Sequence, residues 1–331
     1  MWSLAIGHRR PFVPANLRVL FIICRTWAII GGVNDPAVFV PALLGLGFLF
    51  AGILTYRRDL RAATAADGVF ALAVLGPTFV AASLAAFAGE HFTAARGLAT
   101  LVPKWMPAPL FITYFVGVAH VCAALSLVAR RCVRWAAIGI ALMFALFVLT
   151  LYLPSLVRNL HVRIVWIFPF REGTFAMGGV ALYAIAVGVR LPGFSSTVAA
   201  VVRYWTAVTL IFFGFQNVLY PRFTPGVPDS VPTAAWVPFP LAIAYVTGAL
   251  LILCGAAVFV RGWSRRAIAA AGLLMVLLTC ALFVPDFFFA HDVPGRVNAI
   301  NFIFDTLLFG GTLFVIAEAQ KSAASSRQGV R

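Results

Sequence analysis

From Ala37 to Tyr56 the chain runs for twenty residues without a charge, AVFVPALLGLGFLFAGILTY. An α-helix rising 1.5 Å per residue covers about 30 Å with a run of that length, which is the thickness of the hydrocarbon core of a bilayer. Similar apolar runs follow at 68–88, 110–129, 136–153, 174–189, 199–214, 241–260, 267–284 and 300–317, with the charges gathered between them. Of the 331 residues 63% are hydrophobic, and the mean hydropathy is +1.00, both well above the soluble range. An earlier run, 17–32, is shorter and carries Arg25 near its centre, a charge that is costly inside hydrocarbon. It either crosses the membrane or lies in the interface. The expected fold class is therefore all-α, a polytopic transmembrane helix bundle of ten helices, or nine if the first run does not span. The alternation of about ten residues that marks an outer-membrane barrel is absent.

The net charge of +15 comes from arginines in short clusters at helix ends, with no basic arm or domain, so nucleic-acid binding is not expected. Counting alternate connections, the turns at 57–67, 130–134, 190–203 and 261–266 and the tail from Lys321 hold fourteen Lys and Arg, against seven on the opposite side. The positive-inside rule then places the arginine turns and both termini in the cytoplasm, with the protein in the inner membrane. The N-terminus has no long apolar h-region, so no cleaved signal peptide is expected. The five cysteines, Cys24, Cys122, Cys132, Cys254 and Cys280, contain no CxxC pair and read as small buried residues.

The chain also repeats itself. WMPAPLFITYFVG at 105–117 and WVPFPLAIAYVTG at 236–248 agree at seven positions, and the ungapped alignment extends to 105–156 against 236–287 with 14 identities in 52. About four or five would arise by chance in so biased a composition. Trp105 and Trp236 read as interfacial anchors, and the prolines after them occupy a loop end and a first helical turn, where a missing amide donor costs little. Arg130 matches Arg261, Arg134 matches Arg265 and Pro154 matches Pro285, while Gly178-Gly179 lines up with Gly310-Gly311. The unit is four helices present twice. Four being even, both copies insert in one orientation, as parallel repeats. The expected division is residues 1–62 with one or two helices, 63–193 and 194–320 as the two units, and 321–331 as a tail.

A helix closing in Gly89-Glu90-His91-Phe92, an outer loop, a VPKWMPAP stretch at 102–109, a hairpin with an arginine turn and a fourth helix carrying Gly-Gly resemble the DoxX-like membrane proteins. The resemblance covers 68–189 and again 199–317. It implies a membrane subunit or partner of quinone-linked sulfur or thiol oxidation, with quinone as the cofactor. This chain differs from that pattern in carrying two units and no paired cysteines.

Most of the unusual polar residues stand at the ends opposite the arginine turns. A carboxylate beside an imidazole, Glu90 and His91, suits acid–base or proton-relay work, whereas the equivalents in the second unit, Gln216 and Asn217, only hydrogen-bond. Helix capping and headgroup contact are the structural alternative for all four. Asp305 lies about one turn inside the last run and needs a partner; Arg25 is the expected one, either as a structural ion pair or as part of a proton or substrate site. Glu90, His91 and Asp305 are thus the candidate catalytic groups. Tyr114, Tyr245, Gln216, Asn217, Asp286 and Asn301 are candidate substrate-binding groups, with helix packing as the alternative for the tyrosines. His120 reads as a satisfied core histidine, and its repeat counterpart is Leu251. Asp286, His291 and Asp292 match no zinc spacing, so no metal is expected. No GxSxG, P-loop, dinucleotide fingerprint or HExxH occurs. The functional expectation is an outer-facing cavity for an apolar small molecule such as a quinone, an isoprenoid or a lipid. The chain would serve as a redox-linked enzyme or as its membrane subunit alongside a partner protein. A non-enzymatic lipid-handling, transport or assembly role is the alternative.

Overall fold

The computed structural model describes residues 35–320 apart from 190 and 261. The run at 17–32, Cys24, Arg25, Arg190, Arg261 and the tail 321–331 lie outside the described residues. The remainder is all helix and turn apart from one isolated bridge between Phe223 and Pro232. Among the described residues eight helices are long and apolar enough to cross a bilayer. The protein is an integral membrane protein built as a helical bundle.

Helix α1 (Pro36–Asp67) is started by Asp35, whose carboxylate accepts from the Ala37 amide at 2.9 Å. At Gly68 the chain takes φ +57°, open to glycine, and turns into a 3-10 segment (Gly68–Leu75) that leads into α2 (Gly76–Thr93). Helices α3 (Pro109–Ala129) and α4 (Val133–Phe147) follow, α4 running on through a π turn (Val148–Tyr152) into Leu153–Arg158. Next come α5 (Ile164–Ala186), α6 (Ser196–Leu219) and α7 (Pro240–Phe259). Helix α8 (Ser264–Leu278) continues through a second π turn (Thr279–Phe283) into Val284–Phe289, and α9 (Val293–Ala319) closes the bundle.

The backbone repeats at the same spacing of 131 residues as the sequence. Ala108 and Phe239 precede the helix-starting prolines with φ of 50° and 49°, and the two π turns fall at equivalent positions. Each π turn comes just before a helical proline, Pro154 or Pro285, which cannot donate to the usual ladder; a wider turn absorbs the missing bond.

Burial separates the helices into a core and a shell. The apolar window of α9 is 83% buried and that of α2 with its 3-10 lead 72%, whereas those of α1 and α4 are 22% and 17%. Helices α2 and α9 cross where Gly76 and Gly311 face each other: a Cβ on Gly311 would lie 2.7 Å from the Phe79 Cβ and 3.0 Å from the Val80 nitrogen. Each glycine pair serves two neighbours. Gly178 meets Thr312 of α9 while Gly179 meets the Ala141 backbone of α4, and Gly310 meets α8 while Gly311 meets α2. Helix α1 lies against α2, with Gly89 set on the backbone of Pro41. Leu43, Leu46 and Phe50 on its other side are exposed, as lipid-facing residues are.

Two expectations are corrected here. The apolar run expected at 174–189 belongs to a longer helix: α5 begins at Ile164, ten residues earlier, and contains Pro169, Arg171 and Glu172. Charges that read as loop are tolerated inside the helix because they are paired. The cysteines were read as buried, but Cys122, Cys132 and Cys280 are exposed and Cys254 is half-buried. Within a membrane an apolar run does not say which side faces protein, because lipid is as apolar as a core.

Candidate functional site

Helix α2 ends at Thr93, at the end of the bundle opposite the arginine turns. His91, two residues before its end, packs its Cβ toward Gly117, where a Cβ would come within 2.9 Å. Gly117 is eight residues along α3 from Pro109, about 12 Å at the rise of a helix. In the second unit Gly248 meets Asn217 and Val218 as Gly117 meets His91 and Phe92. This contact sets the register of the two copies at the polar positions, matching Glu90 with Gln216 and His91 with Asn217.

Adjacent in sequence, Glu90 and His91 face different neighbours. The imidazole of His91 turns to α3: its Nδ1 donates to the Phe87 carbonyl at 2.7 Å, and its ring meets that of His120 edge-on, with centroids 5.1 Å apart. The Nδ1 bond leaves the Nε2 lone pair of a neutral His91 available. His120 is 3% exposed. Both its ring nitrogens are buried without a hydrogen-bond partner among the described residues, so the expectation of a satisfied core histidine does not hold. Leu251, its repeat counterpart, fills the same place with an apolar side chain.

Glu90 turns to α9, within electrostatic reach of Asp305, and its Oε1 is buried with no partner among the described residues. Asp305 stands twelve residues into α9 rather than one turn inside it, since the helix starts at Val293. Its partner among the described residues is Arg171 of α5, Nη1 to Oδ2 at 2.9 Å; the expected partner, Arg25, lies outside the described residues. The same guanidinium holds Glu172, Nη2 to Oε1 at 3.0 Å, and stands over the Phe168 ring at 5.0 Å. Tyr152, carried by the first π turn, brings its hydroxyl to Arg171 and stacks on Phe168. In the second unit the π turn carries Phe283, which stacks on Phe302. The polar cluster therefore draws on α2, α4, α5 and α9, with one guanidinium among three carboxyls.

The other candidates stand apart from this cluster. Gln216 accepts from Arg163 at 3.3 Å. Arg163 also reaches the Asp229 carbonyl and lies over Tyr220 and Phe223, which pins the loop between α6 and α7. Asn217 supports the same loop, its amide donating to the Gly226 carbonyl and accepting from the Gly226 nitrogen, both at 3.0 Å. Asp286 accepts from Trp236 Nε1 at 2.9 Å, and Asn301 donates to its own helix at Val297. Tyr114 and Tyr245 are 42% and 48% exposed on the surface of the bundle, Tyr114 stacking on Phe92. An outer cavity shared by these residues was expected. Instead a cavity of about 740 Å³ lies at the opposite end, among Tyr56, Arg130, Arg134 and Trp135. Polar side chains at helix ends were read as one site; their hydrogen-bond geometry spends them on separate loops.

Arg171, Glu172 and Tyr152 were not singled out from the sequence. The signal available was the FREGT stretch beside an apolar run, a charge pair of opposite sign that a partnered helix can carry.

The fold and this buried polar cluster define a polytopic helical membrane protein with ionisable groups held at depth. A family model described as a domain of unknown function (DUF8561) matches residues 80–161. That stretch includes Glu90, His91, His120 and Tyr152 but ends before Arg171. No curated protein and no solved structure is matched.

Proposed function

We propose that this chain is a proton-handling membrane protein of the DoxX-like type, in which His91 and His120 accept and pass a proton beside the carboxyl cluster of Glu90, Glu172 and Asp305. The observation that carries this reading is His120: buried, edge-on to His91 and without a partner for either nitrogen. An unsatisfied imidazole costs about 1–3 kcal/mol, and the fold itself does not require one, because Leu251 serves at the equivalent place. Ionisable groups kept inside a membrane bundle mark proton and substrate paths. One guanidinium balances one of the three carboxyls, so the cluster has room for protons.

The DoxX-like resemblance supplies the ligand class: a quinone, isoprenoid or other lipid-soluble molecule approaching His91 from the bilayer past Phe92 and Tyr114, both partly exposed. The chain then serves as a redox-linked membrane enzyme or subunit, and His91 is the group nearest that approach.

The test is His120→Leu, which installs the residue of the second copy. In reconstituted vesicles containing a trapped pH dye, wild-type protein is expected to carry protons faster than protein-free vesicles after a pH jump. The variant is expected to lose about tenfold or more of that rate while unfolding no more easily, and gaining about 1–3 kcal/mol from removal of the orphaned nitrogens. A wild-type rate equal to that of empty vesicles, or an unchanged rate in the variant, would sink the reading.

A further inference from the structure

The cavity of about 740 Å³ at the arginine-turn end is bounded by α1, the 3-10 segment and the start of α2, the α3–α4 turn and the start of α4, and the ends of α5 and α9. Its inner walls are apolar, from Val74, Pro77, Leu182, Ile185 and Val315, and its rim carries Tyr56, Arg130, Arg134 and Trp135. Tyr56 and Arg130 are already committed. The Tyr56 hydroxyl donates to the Leu127 carbonyl at 3.2 Å, and Arg130 pairs with Asp59 at 2.6 Å while lying 4.8 Å over the Tyr56 ring.

Arg134 differs. Its repeat counterpart Arg265 holds two carboxylates, Asp67 at 2.6 Å and Glu318 at 3.4 Å. Arg134 has no carboxylate partner among the described residues; its guanidinium lies over the Trp135 ring at 5.3 Å, at the mouth of the cavity. Glu318, the carboxylate on the cavity wall nearest in role, is held by Arg265. The duplicated position thus shows what this arginine takes, an anion, and the first copy presents space where the second presents side chains. Trp135 is 61% exposed and belongs to α4, whose apolar window is the least buried of the eight spanning helices, so the mouth opens on the outer surface of the bundle. An apolar chamber with an arginine and an amphipathic tryptophan at its rim matches a molecule with an anionic head and a hydrocarbon tail.

We infer that this cavity is a binding site for an anionic phospholipid, with the phosphodiester at Arg134 and an acyl chain along Val74, Pro77, Leu182 and Val315. Full-length protein in mild detergent is incubated with phosphatidylglycerol or phosphatidylcholine and the lipid-bound fraction read by native mass spectrometry. Phosphatidylglycerol is expected to bind at least about fivefold more tightly than phosphatidylcholine. Arg134→Gln should lose about fivefold of that affinity, Arg134→Lys should retain most of it, and Arg131→Gln, in the same turn but outside the cavity, should lose less than about twofold. Thermal unfolding of each variant separates loss of the site from loss of the fold, and Arg134→Lys keeps the test valid if Arg134→Gln unfolds. Equal binding of the two lipids, an unaffected Arg134→Gln, no binding by wild type, or displacement of the lipid by inorganic phosphate alone would overturn the assignment.

Discussion

Arg171→Gln is expected to destabilise the protein by about 3–5 kcal/mol, the cost of leaving buried charge uncompensated. Asp305→Asn should cost much less. The asymmetry follows from the arrangement: Arg171 bonds both Glu172 and Asp305, so losing the arginine strands two carboxyls, with Glu90 near Asp305, whereas losing Asp305 leaves a matched Arg171–Glu172 pair. Their side chains are only 15%, 6% and 17% exposed, so water does little to soften the loss. The combined change of Arg171→Gln, Glu172→Gln and Asp305→Asn should recover most of the stability lost in the single arginine variant, because it removes the charges together. Reversible unfolding in mixed micelles measures all three. Equal losses in Arg171→Gln and Asp305→Asn would show that the arginine is not the hub.

Gly179→Ala should be nearly as damaging, at about 1–3 kcal/mol or more, from a single added methyl group. A Cβ there would stand 2.5 Å from the Ala141 nitrogen and 2.7 Å from its Cα, and backbone cannot step aside as a flexible side chain can. Helices α4 and α5 would have to separate, and Tyr152 would withdraw from Arg171 as they did. Gly139→Ala, on α4 with nothing within 4 Å of the added atom, is the matched control and should be neutral or slightly stabilising. The same unfolding measurement separates the two, and a neutral Gly179→Ala would mean that the close α4–α5 approach does not hold in the protein.

The spans were legible because hydrocarbon imposes a length on any helix that crosses it, and eight of the apolar runs read from the sequence became such helices. The run at 174–189 was misplaced because Arg171 and Glu172 read as loop, and only their pairing with each other and with Asp305 makes them tolerable inside the helix. The repeat was legible to the residue: the paired left-handed positions at Ala108 and Phe239 and the paired π turns keep its spacing of 131. Side-chain direction was not. Glu90 and His91 are neighbours in sequence and were read as one acid–base pair, yet a helix sets consecutive residues about 100° apart, sending one toward α9 and the other toward α3. The contrast of His120 with Leu251 was legible from the repeat, but the lack of a partner for either ring nitrogen depends on the packing of α2 against α3.

Hydropathy, charge clustering and the internal repeat, taken from the sequence by itself, determined the class of this protein: a membrane-embedded, all-α helical bundle carrying an internal repeat. Those properties are local or periodic, and the bilayer reads them one segment at a time. Tertiary structure alone decided which ionisable groups meet. The pairing of Arg171 with Asp305, 134 residues apart, and the contrast between Arg265, paired with two carboxylates, and Arg134, with none among the described residues, depend on which helix faces which. Lipid and protein interior are alike apolar, so no pattern of hydrophobicity along the chain distinguishes those faces.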